Sequence, residues 1–510
     1  MSMLNNDAHF SPFMGDNKLI SVGLNPLGIR TASEQLFTTL LPGLNVVTLR
    51  IRYYSFYCWL IREFYKDRKE ASSSDFKRHI RMSELLIALI HAQSTNNQGL
   101  PGIDRALAII ARGEKSINFN EDAMPNGEPK NGYWKASSYG AFGSYYAASL
   151  REMGIIAPLE DNNKLYNITP HNEIYISGED LAEAFEQSIG VDMSKLFIEC
   201  SRKGVVSRKQ LAQMETVFQC HNLCDNKERS LLLEMLLQSD KPSTSEESNF
   251  RKESLRLLLS YLKDYNEDGF SELAFAKHVY ECYNNGTENS TAAVGWYAYY
   301  LNDSRQFEAL KIFVELLRRL ESSNKPGQWE YIEDFTSTLA EEICNMLKVP
   351  KSITVGEILS NWEKIEKPND KIAVSFYTIL DNYYNNQSYK ESKSIIRSYY
   401  CKVNNDAMDA FDEIERNLND SLFFFVKKYL TENIIYNHYS ESMRKFTQNG
   451  IPTQKLTIEN GYVRGIATFK ISHSSPRIQT LKEFATDLGL ISANRTNEEG
   501  QKLLKRLQND

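Results

Sequence analysis

Arg50-Ile-Arg-Tyr-Tyr-Ser-Phe-Tyr-Cys-Trp-Leu-Ile-Arg62 is the stretch on which the reading of this chain turns. Tyr53, Tyr57, Leu60 and Phe64 recur at helical spacing, which predicts a helix over 49–68. Two turn-rich pieces precede it, Asn25-Pro-Leu-Gly-Ile-Arg30 and Leu40-Leu-Pro-Gly43, with a second helix expected over 33–41. Arg30, Arg50, Arg52 and Arg62 thus share about ten helical turns of chain with Tyr53, Tyr54 and Trp59. Arginine and tyrosine supply charge and rigid contact area together, so a surface that grips an anion or docks a partner is expected. The other reading is an amphipathic helix, its tyrosines in a core and its arginines solvated or paired with Glu34 or Glu63.

The bulk numbers set wide limits. A chain of 510 residues exceeds one ordinary core, so two to four domains are expected. The 42% hydrophobic and 25% charged content is that of a folded globular protein, and 28 tyrosines with 25 phenylalanines argue against disorder. A formal net charge of −7 supplies no global field for nucleic acid, so any such site must be a local basic patch. Seven scattered cysteines suit reduced thiols, and residues 1–16 are polar and acidic rather than signal-like. No apolar run approaches the ~18 residues that span a bilayer. A cytoplasmic protein with no membrane partner is expected.

Along the chain the fold reads as mainly α, a multi-domain helical protein with two winged-helix-like elements. Ser83 is a plausible N-cap for a helix running to His91, and 113–132 reads as a loop. A helix over 137–153 ends in Leu150-Arg-Glu-Met-Gly-Ile-Ile156, then the polar tip 160–164 and Leu165-Tyr-Asn-Ile-Thr-Pro170, a helix-plus-wing pattern. The alternative is a helix and an ordinary hairpin. From 179 to 445 helices follow one another, among them 255–265, 270–283, 291–301, 306–321, 329–347 and 407–439, with 238–249 as the best linker. Strands are expected over 455–458 and 462–471, then a helix over 477–488 leading into Leu488-Gly-Leu-Ile491, a second wing. The expected domains are 1–178, 179–445 and 446–510.

Motifs for chemistry are sparse. Gly113-Glu-Lys-Ser116 lacks the upstream glycine of a phosphate-binding loop. Cys220, His221 and Cys224 fall short of the four ligands of structural zinc. Asp381, Glu391 and Lys393 could be drawn as a nuclease set, but they sit in predicted helix and loop rather than on paired strands. No catalytic residue, metal or cofactor is therefore assigned. Three groups remain as nucleic-acid or partner contacts. The first is the arginine–aromatic segment. The second is Arg202-Lys203 with Arg208-Lys209, behind a Ser207 helix cap. The third comprises the winged elements, with Lys135, Ser138 and Tyr139 at one helix start and His473, Arg477 and Lys482 at the other.

The segment Pro26-Leu-Gly-Ile-Arg30, Leu41-Pro-Gly43 and Arg52-Tyr-Tyr-Ser-Phe-Tyr-Cys-Trp59, with the closing Arg477-Ile-Gln-Thr-Leu481 and Leu488-Gly-Leu-Ile491, resembles a bacterial family of long proteins from multi-gene anti-phage defence operons. Those operons also encode an SMC-like ATPase and a nuclease. The resemblance covers about forty N-terminal residues and carries no catalytic positions. It implies an adaptor or sensor subunit that binds ATPase and nuclease partners, double-stranded DNA, or both. A free-standing winged-helix regulator and a nuclease effector with an unrecognised site are the alternatives.

Overall fold

The computed structural model describes residues 25–66, 72–93, 99–125, 139–159, 162–221, 223, 226–240, 248–264, 269–322, 328–399, 405–449 and 453–509. The protein is mainly helical, with minor sheet. None of its described helices is long and apolar enough to cross a membrane. Two compact units interleave along the chain. One gathers 1–36, 280–287 and 294–474; the other gathers 37–279, 288–293 and 475–510.

The second unit is organised by the helix Arg52–Lys66, which is buried over almost its whole length. Trp59 is 0% exposed, its ring 5.2 Å from Phe185, 5.5 Å from Phe197 and 6.4 Å from Phe218. Its principal neighbour is the helix Gly178–Ile189, started by a capping box in which Ser177 and Asp180 satisfy each other's amides. The next helix, Ser73–His91, begins a full three turns earlier than expected. Ser72 is its cap, accepting from the Asp75 amide at 3.1 Å, whereas Ser83 lies inside the helix, bonded to Ser201 at 2.8 Å. Part of the expected 113–132 loop is ordered too: Ser116–Asn118 pairs antiparallel with Val205–Ser207, and Asn120–Ala123 forms a helical turn. Loop-like composition yielded there to a partner strand ninety residues away.

The helix Ala147–Glu152 stops at Gly154, whose φ of +75° is the left-handed turn glycine allows. The strand Ile156–Leu159 then pairs with Asn162–Ile168. At the far end, Ile478–Asp487 runs through Gly489 into a hairpin of Ile491–Ser492 and Arg495–Thr496, followed by the helix Glu498–Asn509. Both stretches are thus helix-plus-hairpin. Lys135 and Ser138 lie outside the described residues, as do Cys224 and most of the 238–249 linker.

In the other unit the two helices expected at 291–301 and 306–321 are one, Thr291–Ser322. The polar interruption is absorbed because Asn302 bonds back to the Ala298 carbonyl at 2.9 Å, while buried Asp303 serves His473 and Ser474. The single helix expected over 407–439 is instead broken after Arg416, and Ser421 caps a new helix, Leu422–Lys428. The expected second strand ends early, at Gly465; Tyr462–Gly465 is the centre of a three-stranded sheet between Leu456–Glu459 and Glu330–Tyr331. His438 is threaded between two backbone groups, its Nε2 accepting from the Lys455 amide and its Nδ1 facing the Pro26 carbonyl, each at 2.9 Å. Burial pushes its pKa down to about 4, so the ring is neutral in the folded unit.

Removing the Trp59 ring should leave a cavity among Phe185, Phe197 and Phe218 that the close-packed helices cannot refill. Trp59→Ala is expected to lose about 3–5 kcal/mol in urea unfolding. A loss below about 1 kcal/mol would show that the ring is not a core anchor.

Candidate functional site

Six of the predicted contact residues, Arg50, Arg52, Tyr53, Tyr54, Trp59 and Lys482, are buried. Arg52 is 4% exposed and forms five hydrogen bonds. Two reach the Glu228 carboxylate at 3.1 and 3.0 Å, one reaches Ser188, and two reach the Val217 and Gln219 carbonyls. Ser55, one turn along, adds a 2.7 Å bond to Glu228. Arg50 holds Asp487 at 2.9 Å and Glu483 at 3.4 Å. Arg62 pairs with Glu186 and Glu179, and Arg30 with Glu34 at 3.0 Å. Of the two acids named from sequence, Glu34 takes part; Glu63 pairs instead with Lys66. Tyr53, Tyr54 and Trp59 are buried, with the Tyr54 hydroxyl donating to the Gly43 carbonyl at 2.7 Å. The expectation of a contact surface is corrected for Arg50, Arg52, Tyr53, Tyr54 and Trp59, which are buried; Arg30 and Arg62 stay partly exposed, and so do the carboxylates they pair with.

The residues at the two helix starts are also largely engaged. Tyr139 is half-buried against Phe76. Arg477 donates to the Leu44 carbonyl at 2.7 Å, and its guanidinium lies 5.1 Å from the Phe37 ring. Lys482 is buried, its Nζ 5.6 Å from the Phe270 ring. In the other unit, His473 stacks on Phe307 at 3.8 Å and meets Asp303 at 2.6 Å. Arg208 is turned onto the Ile110 and Glu114 carbonyls, behind the Ser207 cap that the sequence indicated.

Arg202, Lys203 and Lys209 are exposed. Arg202 and Lys203 line a groove of about 530 Å³ along one face of the helix Val191–Lys203, with Lys66 and Lys195. Glu63, Glu186 and Glu199 line it too, and Lys203 pairs with Glu199, so the groove carries both signs of charge. Of the nuclease-like trio, Asp381 accepts from the Trp362 indole at 2.8 Å and Lys393 pairs with Asp409 and Asp412, while Glu391 is exposed. Among the described residues no group of His, Cys, Asp and Glu is placed to hold a metal ion.

Beneath the arginine segment lies a buried polar centre that sequence reading passed over. Glu84 accepts from the Tyr57 hydroxyl at 2.8 Å and from the Ala141 and Phe142 amides at 2.9 and 2.6 Å. Gly140 is required beside it, since a Cβ there would stand 2.0 Å from the Glu84 carboxylate. Burial raises the Glu84 carboxyl to about 7 despite those donors. Asp487 is likewise raised to about 7, burial outweighing Arg50. His91 is pushed the other way, to about 3, by burial and then by His221 and Arg52. Burial also pushes the Cys220 thiol up to about 12, which makes it a packing group rather than a nucleophile. No motif marks Asp487, Glu228, Tyr146 or His91, because each meets the arginine segment only through the fold.

In comparisons with known proteins, no family model, curated protein or solved structure matches this chain.

Folding favours the neutral form of Asp487. The stability this contributes is complete below the ordinary carboxylate value of 3.8 and is lost as pH rises to about 7. Asp487→Asn removes that titration. The stability gap between wild type and variant is expected to close as pH rises from about 4 to 7, by up to ~1.4 kcal/mol per pH unit. Urea midpoints across that range measure it; a gap that widens instead would mean that Arg50 outweighs burial.

Proposed function

We propose that this protein is a non-catalytic adaptor or sensor subunit of a prokaryotic anti-phage defence complex, working with an ATPase and a nuclease encoded beside it. The observation that carries the reading is the mixed-charge groove along Val191–Lys203. Cations and carboxylates interleaved in one groove suit a protein partner, whose surface offers both signs. A phosphate backbone would meet Glu63, Glu186 and Glu199 as repulsion. Much of the segment that carries the resemblance to the defence family is buried in the unit built from 37–279, which supports a structural use of that segment in this reading. We read the two helix-plus-hairpin stretches as winged-helix-like modules turned to protein docking, since Arg477 and Lys482 are engaged internally. DNA enters this reading through the assembled complex and not as a ligand of the isolated chain.

A tagged pull-down from the native host, with and without nuclease treatment of the lysate, tests this. Recovery of ATPase and nuclease in both lysates is expected, and Arg202→Glu with Lys203→Glu should reduce it at least tenfold. A chain recovered alone would overturn the adaptor reading. Tight, steeply salt-dependent DNA binding by the isolated chain would favour the winged-helix regulator.

A further inference from the structure

Four buried side chains around Arg50 carry polar atoms that no described group satisfies: the Tyr53 and Tyr146 hydroxyls, both nitrogens of His91, and Oδ2 of Asp487. Tyr53, Tyr146 and His91 are each 0–1% exposed, and so is Asp487 at 1%. They are neighbours rather than scattered defects. The Tyr53 and Tyr146 rings stack with centroids 5.4 Å apart. Asp487 is bonded through Oδ1 to Arg50 at 2.9 Å, and the Ile51 backbone approaches its carboxyl without satisfying Oδ2. The Phe218 backbone approaches His91 without reaching hydrogen-bond geometry. Arg50 acts electrostatically on all four, and Cys220 on both tyrosines.

Buried polar groups in folded proteins are almost always hydrogen-bonded, and isolated failures carry a desolvation penalty. Several such groups gathered about one buried guanidinium imply a common kind of partner. That partner must be small, because the surrounding side chains leave no surface exposure. It must both donate and accept, because the groups it would satisfy are phenols, an imidazole and a carboxyl. We propose that Tyr53, Tyr146, His91 and Asp487 line an internal binding site for a cluster of ordered water molecules. Water meets all three demands, and polar internal sites of this kind are where it is held. The cluster would bridge the helix Arg52–Lys66, the end of Ser73–His91, the π-turn Phe142–Tyr146 and the end of Ile478–Asp487, elements drawn from distant parts of the sequence.

The sign of a conservative substitution decides the matter. A dry, unpaired hydroxyl costs stability, so its removal would raise Tm; a hydroxyl bonded to held water contributes, so its removal lowers Tm. Tyr53→Phe and Tyr146→Phe are each expected to lower Tm by roughly 2 °C without changing the fold. Oxygen-17 relaxation dispersion on the wild-type chain should detect long-lived internal water, and the double variant should lose part of that signal. An unchanged or raised Tm in both variants, or a dispersion signal that the double variant leaves intact, would overturn the assignment.

Discussion

A guanidinium taken out of water must be met on all sides, and the Arg52–Glu228 pair shows what that requirement does to this chain. Desolvating either charge alone would cost several kcal/mol, so neither can be buried without the other. The five bonds of Arg52 therefore bind together the start of one helix, a turn at 217–219 and the helix Lys227–Leu237. With Arg52 fixed, the rotation of Arg52–Lys66 is fixed as well, and Tyr53, Phe56 and Trp59 have one set of neighbours to pack against. The guanidinium also lies over the Phe185 ring at 5.1 Å, so charge and aromatic core are joined at one point.

The same device recurs. Arg50 draws the end of Ile478–Asp487 to the start of the aromatic helix. Arg251, fully buried, donates to the carbonyls of Pro42, Met235, Leu236 and Gln238 and lies 3.7 Å from Asp240. Arginine suits this use because its planar fork offers five donors and is less strongly hydrated than an ammonium group. Three arginines act as internal fasteners in a unit whose aromatic packing is dense and otherwise non-directional. The unit that holds Thr291–Ser322 has polar junctions of other kinds. Asn386 bridges Tyr280 and Tyr297, Asp303 gathers His473 and Ser474, and neutral His438 joins two backbone segments.

Glu84 and Asp487 show the cost of such a centre. Each accepts good hydrogen bonds, yet burial still favours its protonated form near neutral pH. His91 is held neutral by the same dryness. The centre therefore resists charging from both directions, burial raising the two carboxyls and lowering the imidazole.

Helical character, the aromatic helix, the Ser207 cap, the Gly154 stop and the Leu488-Gly-Leu-Ile491 hairpin were all legible from residue order, because periodicity, capping and glycine turns are local. Helix joins were less so: Asn302-Asp303 reads as a break, and it is distant partners, beside the local Asn302–Ala298 bond, that satisfy their side chains within the continuous helix. The return of 475–510 to the unit built from 37–279 left no local trace. The buried centre was illegible for the same reason. Arg50, Arg52, Tyr53 and Trp59 carry the composition of a binding surface and of a tightly satisfied core alike. What separates the two is whether Glu228 and Asp487, 176 and 437 positions away, arrive beside them. Residue order determined which groups needed partners; the tertiary structure alone decided where those partners came from, since charge compensation acts through space and not along the chain.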